Sequence, residues 1–485
     1  MSSAIEGLEP KKIWEYFAEL STIPRGSKNE AKAAAYIVGV AKKLGLEVQK
    51  DTAGNVVVRK PAGAGRENAP MVALQGHLDM VCEKNKDKVH NFEKDPIVLR
   101  RNGNFLTADG TTLGADNGIG VCTALALMEE QSVLHGPLEF LFTIDEETGL
   151  TGANNLKDDF VKSRTLLNLD SEEEGILYVG CSGGGDTVGT LHVEFEAMPA
   201  QSIAMNLKIG GLRGGHSGLE INTGRGNAIK LINRVLYILT EMGVRLASIE
   251  GGNKRNAIPR ETETVIVVPK KLVDEVKKVV ASCDALFKTE YATVDGGVAL
   301  SVTEIKGKRV RVLKKARQKK LVILLYALPH GVIAMSPDIP GLVETSTNLA
   351  TINTTRKGII IATSQRSSVE SEKEDVVQMV HSTFVLSGAE VEHGDGYPGW
   401  KPNLNSAILK IAKDTYQKKY GRLPEVKAIH AGLECGIIGE KFPGMDMISF
   451  GPTLEMVHSP EERVHIDTVK TFWDYLCAIL DRVSS

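Results

Sequence analysis

The chain lacks the marks of several protein classes. Its six cysteines (Cys82, Cys122, Cys181, Cys283, Cys435, Cys477) stand far apart, and no CxxC pair exists. That excludes a thiolate zinc site and a dithiol redox pair. Most lie in apolar runs, as small buried hydrophobes do, and a reducing cytosol is expected. Charge of one sign is not in excess: the net charge is −3, so no general attraction to nucleic acid or an anionic membrane exists. The opening stretch "MSSAIEGLEPKKIWEY" has no apolar h-region of a secretory signal. The longest apolar run, residues 321–335, is interrupted by Pro329 and His330 and is too short to span a bilayer. The expectation is a cytoplasmic protein with neither nucleic-acid nor membrane partners. The basic stretch 306–320 holds nine Lys and Arg but no aromatic residue for base stacking, and reads as a solvated part of a strand and helix.

What is present is a globular composition, 42% apolar and 25% charged, over 485 residues. That length points to two domains. In residues 1–186 helical and strand patterns alternate. The stretch 27–48 has a helical period, with Ser27 as its cap. "APMVALQGHLD", "GPLEFLFTIDEE", "RTLLNLDSEEE" and, late in the chain, "GMDMISFGPTLEMVHSP" are apolar runs that end in polar residues. Strands alternating with helices predict an α/β domain, a mostly parallel mixed sheet with helices on both faces. Ligands bind beyond the carboxyl ends of such strands. Residues 187–398 read instead as alternating half-exposed strands with helices between them, an inserted α+β lid domain. Two rounds of strands and helices there have the pattern of an internal duplication, without a residue-level repeat. "CSGGGD" at 181–186 lacks the Lys-Ser/Thr ending of a phosphate loop and reads as a hinge. Residues 399–485 return to the first pattern.

"FTIDEETGL" at 142–150 places Asp145, Glu146 and Glu147 together at the end of a buried strand. Repulsion and desolvation oppose this unless a cation reverses the sign. A pair of metal ions needs imidazoles, terminal carboxylates and one bridging carboxylate converging from different strands. His77 in "GHLD", Asp116 in "LGADNG", Glu147 in "DEETG", Asp170 in "NLDSE" and His458 in "VHSPEE" each follow an apolar run or sit in a Gly-flanked loop. Singly, each reads as well as a capping residue or a solvated turn; jointly they point to a metal site. "SEEEG" after Asp170 reads as a solvated turn.

The segments "GHLDMV", "LGADNGIGV", "DEETGLTGA", "NLDSEE" and "VHSPEE", in that order over nearly the whole chain, resemble the signature segments of the dinuclear-zinc exopeptidase family. That family includes bacterial dipeptidases, carnosinase, aminoacylase and carboxypeptidase G. "LQGHLDMVCEKN" and "LTADGTTLGADNGIGV" resemble most its aminoacyl-histidine dipeptidase members. The resemblance implies two Zn²⁺ per chain, with Mn²⁺ or Co²⁺ as substitutes. His77 and Asp170 would bind one, Glu147 and His458 the other, and Asp116 both. Asp79 would orient His77, and Glu146 would be the general base of a dizinc-hydroxide mechanism. A cis peptide is implied after Asp116. His216 would stabilise the transition state at the carbonyl oxygen, from a partner subunit or within one chain. Asn256, Arg366, His430 and Glu434 would bind substrate, Arg366 by clamping the free carboxylate of the substrate. The implied activity is hydrolysis of unblocked Xaa-His dipeptides, carnosine-like ones included, by a homodimer. Rival readings are a broad dipeptidase, an N-acyl amino acid amidohydrolase, and a non-catalytic binding protein. The last should have lost ligands or base, and none is missing here.

Overall fold

The computed structural model describes residues 3–307 and 309–485, so Lys308 of the basic stretch lies outside the described residues. Two compact units emerge: residues 1–180, 400–428 and 433–485 form the first, and 181–399 with 429–432 the second.

The first unit is built on an eight-stranded sheet in the order Glu47–Lys50, Val56–Lys60, Leu138–Thr143, Val72–His77, Thr165–Asn168, Asp446–Ser449, Ile176–Cys181, Glu425–Ile429. The four strands from Leu138–Thr143 to Asp446–Ser449 run parallel, and antiparallel pairs flank them. Three successive parallel pairs make up the centre. Val72–His77 and Leu138–Thr143 are buried at every residue, as strands covered on both faces must be. A four-stranded sheet of Leu99–Asn102, Phe105–Ala108, Arg463–His465 and Leu454–Glu455 lies in the same unit.

The helix expected to start at Ser27 runs instead over Ala31–Lys43, with Glu30 at its N-cap. Ser27 does not cap it; its hydroxyl donates to Asp79 (2.8 Å). Among the described residues, no helix is long and apolar enough to cross a membrane.

The second unit holds a nine-stranded sheet whose main path pairs antiparallel throughout. Its chain order resolves into two copies of one β-α-β-β-α-β plan. One copy is Ser202–Gly210, helix Ala228–Glu241, Arg245–Gly251, Thr262–Pro269, helix Val273–Glu290 and Ala299–Glu304. The other is Gly183–Leu191, helix Lys315–Ala327, Val343–Thr354, Ile359–Ser367, helix Glu370–Ser387 and Glu390–His393. Counted from either edge, each copy places its strands in the order fourth, first, third, second. The copies meet where Glu250 and Gly251 pair with Asn353 and Ile352. Apolar residues of all four helices pack in one continuous core. The first copy is thus inserted between the first strand and first helix of the second.

"CSGGGD" begins where the chain passes from the first unit to the second, and from Gly183 onward it is strand, part of Gly183–Leu191. Gly183 allows this: a Cβ there would meet the Gly399 nitrogen and the Tyr397 oxygen at 2.6 Å.

Candidate metal centre

The carboxyl ends of the parallel strands deliver the first candidate ligands. His77 is the last residue of its strand and only 1% exposed. Its Nε2 lies 3.1 Å from Asp116 Oδ1 and 3.2 Å from Asp170 Oδ1. Asp170 stands two residues beyond the end of Thr165–Asn168. Asp116 sits at the start of helix Ala115–Glu129 with non-helical backbone, and the Asp116–Asn117 peptide is cis, as the resemblance implied. Asn117 Nδ2 donates to the Leu169 carbonyl (2.7 Å), which ties the Asp116 loop to the Asp170 segment. Gly76 admits that amide, since a Cβ there would meet Asn117 Oδ1 at 2.2 Å.

On its other side Asp116 meets His458, whose Nε2 is 3.1 Å from Asp116 Oδ2 and 3.0 Å from Glu147 Oε2. Two donor sets result, His77–Asp116–Asp170 and Asp116–Glu147–His458, and Asp116 belongs to both. Glu146 approaches His77 and Glu147 in a third grouping, but no hydrogen bond or ion pair of its carboxylate is found among the described residues.

The acidic run resolves into three tasks. Asp145 has a left-handed backbone (φ 51°) and accepts from the Thr148 and Thr151 hydroxyls, while its N–H donates to Glu30 Oε1 (3.0 Å). It shapes the turn. Glu147 joins His458, and Glu146 is left beside His77 and Glu147. Asp79, fully buried, anchors this turn from below. Its Oδ1 accepts the Glu146 N–H (3.0 Å) and lies 3.4 Å from His77 Nδ1, while its Oδ2 accepts the Glu147 N–H (3.1 Å). One carboxylate therefore orients the imidazole and both glutamates.

The electrostatics call for positive charge. Burial pushes the Asp170 carboxyl up to about 6 and the Glu146 carboxyl well above the carboxylate range. Hydrogen bonds to Asp116 and Glu147 push His458 up to about 11. Burial disfavours the imidazolium of His77, but Asp170, Asp116 and Asp79 outweigh it and raise its pKa. Each imidazole Nε2 faces two carboxylates, the arrangement in which a divalent cation replaces a proton. Mixed imidazole and carboxylate donors suit Zn²⁺, Mn²⁺ and Co²⁺.

Glu172 was missed by the sequence reading. It does not behave as part of a solvated turn: burial, with the charges of Asp116 and Asp170, pushes its carboxyl up to about 8. The available signal was spacing, because residues two apart on extended chain share a side. Glu172 follows Asp170 as Asp79 follows His77. Glu434, expected to touch substrate, is fully buried in the first unit; its Oε2 accepts from Gln75 Nε2 (2.6 Å) and Thr143 Oγ1 (2.7 Å). Burial raises its carboxyl to about 7.

The other expected substrate residues belong to the second unit. His216 Nδ1 accepts the backbone N–H groups of Gly218 (3.2 Å) and Leu219 (3.1 Å). The proton therefore resides on Nε2, which is a donor. Burial and the nearby Arg366 charge lower its pKa to about 4, so the ring is neutral at pH 7. Arg366 is 6% exposed; one terminal nitrogen donates to the Tyr397 hydroxyl (2.9 Å), and its Nε has no acceptor. His430 Nε2 meets Ser346 Oγ at 2.7 Å, and burial, then Arg366 and His216, lower its pKa to about 3. Asn256 is exposed, and its carbonyl accepts the Ser217 N–H (2.9 Å).

A strand-end imidazole, a loop imidazole and carboxylates around one shared aspartate make a candidate centre for metal-dependent hydrolysis. Residues 73–482 match the model of peptidase family M20/M25/M40, and the chain belongs to that family. It is 43% identical over 482 residues, 99% of each chain, to the cytosol non-specific dipeptidase of Escherichia coli K12. It superposes on the aminoacylhistidine dipeptidase of Vibrio alginolyticus with a TM-score of 0.91 at 43% identity, covering 99% of this chain and 98% of that one. Human carnosine dipeptidase 1 shares the fold at 12% identity, with a TM-score of 0.51 and 97% of each chain covered. The chain is a hydrolase of a metallopeptidase family, and these two full-length relatives at 43% identity are dipeptidases.

Proposed function

We propose that this peptidase binds two divalent cations, Zn²⁺ first among them, and hydrolyses unblocked dipeptides, Xaa-His dipeptides included. The observation that carries this reading is the sharing of Asp116 between two three-residue donor sets, with Glu146 beside them and bound to neither histidine. When bound, the cations would polarise the scissile carbonyl and acidify a water held at the site. Glu146 would take the proton of that water and return it to the leaving amine nitrogen. Its raised pKa, set first by burial, suits a group that must both accept and release a proton. Asp79 holds Glu146 and His77 in place for this. His216, neutral with its proton on Nε2, would donate to the developing oxyanion. Arg366, with an unengaged Nε–H and Tyr397 bracing one arm, would take the C-terminal carboxylate in a fork. His216 would act within its own chain or from the partner subunit of a homodimer. The name of the E. coli relative favours a cytosolic location and a substrate range wider than Xaa-His.

The test is a substrate panel: β-Ala-His, Gly-His, dipeptides without histidine, their N-acetyl forms and their C-terminal amides. Free dipeptides should be cleaved fastest. Faster cleavage of N-acylated amino acids would replace the dipeptidase by an amidohydrolase.

A further inference from the structure

Four residues beyond His458 lies Glu462, a carboxylate that is 2% exposed and has no role in the scheme above. Its Oε2 accepts the N–H groups of Leu113 (2.7 Å) and Gly114 (3.0 Å), and its Oε1 those of Ala115 (2.8 Å) and Asp116 (3.4 Å). Helix Ala115–Glu129 has Gly114 at its N-cap, with φ 70° and no side chain to satisfy its first amides. Glu462 supplies the missing acceptor, and a carboxylate at that end also complements the helix dipole.

The opposite edge of the same loop is held by Arg25, which is 3% exposed. Its guanidinium donates to the carbonyls of Leu78 (3.0 Å), Asp79 (2.9 Å) and Gly114. Gly114 is therefore gripped at its N–H by Glu462 and at its carbonyl by Arg25. A Cβ at Gly114 or Gly118 would meet an Arg25 nitrogen at 2.6 or 2.8 Å. Two buried opposite charges thus act through one stretch of peptide.

His458 makes this arrangement consequential. Its side chain is 49% exposed and its backbone left-handed (φ 61°), so burial does not fix it. It rides on the loop between Leu454–Glu455 and Arg463–His465, where Ser459 closes the turn onto Met456 and the Glu462 N–H donates to the Ser459 carbonyl (3.1 Å). Glu462 is the point at which this loop is fastened to the backbone of Asp116.

We infer that Glu462, braced by Arg25, is a positioning residue that sets the separation of the Asp116 and His458 loops and so the affinity of the second cation. The inference rests on the dinuclear reading above. In Glu462→Gln the amide oxygen would keep two of the four N–H donors, and the NH₂ group would oppose the other two. The His77–Asp116–Asp170 set should keep its affinity, and the Asp116–Glu147–His458 set should weaken about ten- to hundred-fold, as when a group behind a metal ligand is lost.

The experiment titrates Zn²⁺ into the metal-stripped full-length protein against a chromophoric chelator, for wild type, Glu462→Gln, His458→Ala and the double variant. The expected result is two Zn²⁺ in wild type, a selective loss in Glu462→Gln at the site that His458→Ala removes, and no further loss when Glu462→Gln is added to His458→Ala. A purely structural role would lower both sites and would persist in the His458→Ala background. Should Glu462→Gln fail to fold, Glu462→Asp, which shortens the clamp by one methylene, carries the same expectation. Two Zn²⁺ at wild-type affinity in the variants would overturn this inference alone. No Zn²⁺ in wild type would overturn the dinuclear reading and this inference with it.

Discussion

Replacing Glu146 by Gln separates the base from the ligands. The side chains match in size, and the backbone N–H of residue 146 still donates to Asp79 Oδ1. What disappears is the capacity to take a proton. Glu147 stays 3.0 Å from His458, and Asp116 keeps both imidazoles, so both cation sets retain their donors. General-base catalysis contributes about 10²–10⁴-fold, which raises the barrier by about 3–5 kcal/mol. kcat for Gly-His should fall by that factor, while metal content, by elemental analysis, stays at the wild-type value. Glu147→Gln should do the reverse and lose metal first. Loss of metal from Glu146→Gln with full occupancy in Glu147→Gln would show that the neighbours exchange roles and would refute the assignment.

Arg366→Ala should raise KM for dipeptides far more than for their C-terminal amides; equal effects would remove the carboxylate fork. Asp79→Asn should weaken Zn²⁺ binding about ten- to hundred-fold in a chelator competition, because both glutamate amides lose a charged acceptor and His77 loses the negative charge 3.4 Å from its Nδ1; unchanged affinity would contradict its orienting role. Stability should fall in acid through His430: the unfolded ring takes its proton near 6.5 and the folded one only near 3, so between these values the unfolded chain binds more protons. Going from pH 6.5 to about 4.5 should cost wild type about 2–3 kcal/mol more than His430→Gln in urea unfolding. Parallel pH profiles would show that His430 is not held neutral.

The convergence of the candidate donors was legible because most of them end an apolar run or sit beside glycine, and because their chemistry makes sense only jointly. Division of labour in the Asp145–Glu147 run was half legible: adjacency raised the need for cations, but the left-handed backbone of Asp145, which turns it toward Thr148 and Thr151, has no local sequence mark. Ser27 looked like a cap because Ser often is one, yet its hydroxyl was claimed by Asp79, 52 residues away. Glu462 was illegible for the same reason at longer range, since its amide partners lie 346 to 349 residues earlier. The doubling of the second unit could be sensed as two rounds of elements. Its inserted topology could not, because strand Gly183–Leu191 precedes the copy that separates it from its own helix.

The central claim is a chain that hydrolyses dipeptides through two cations shared across Asp116. The most direct test is the metal content of the purified protein by elemental analysis, paired with hydrolysis of β-Ala-His and Gly-His before and after chelation. The account predicts close to two metals per chain and cleavage that chelation abolishes and Zn²⁺, Mn²⁺ or Co²⁺ restores. A protein that binds none of these ions, or that cleaves equally well once stripped of them, would contradict it.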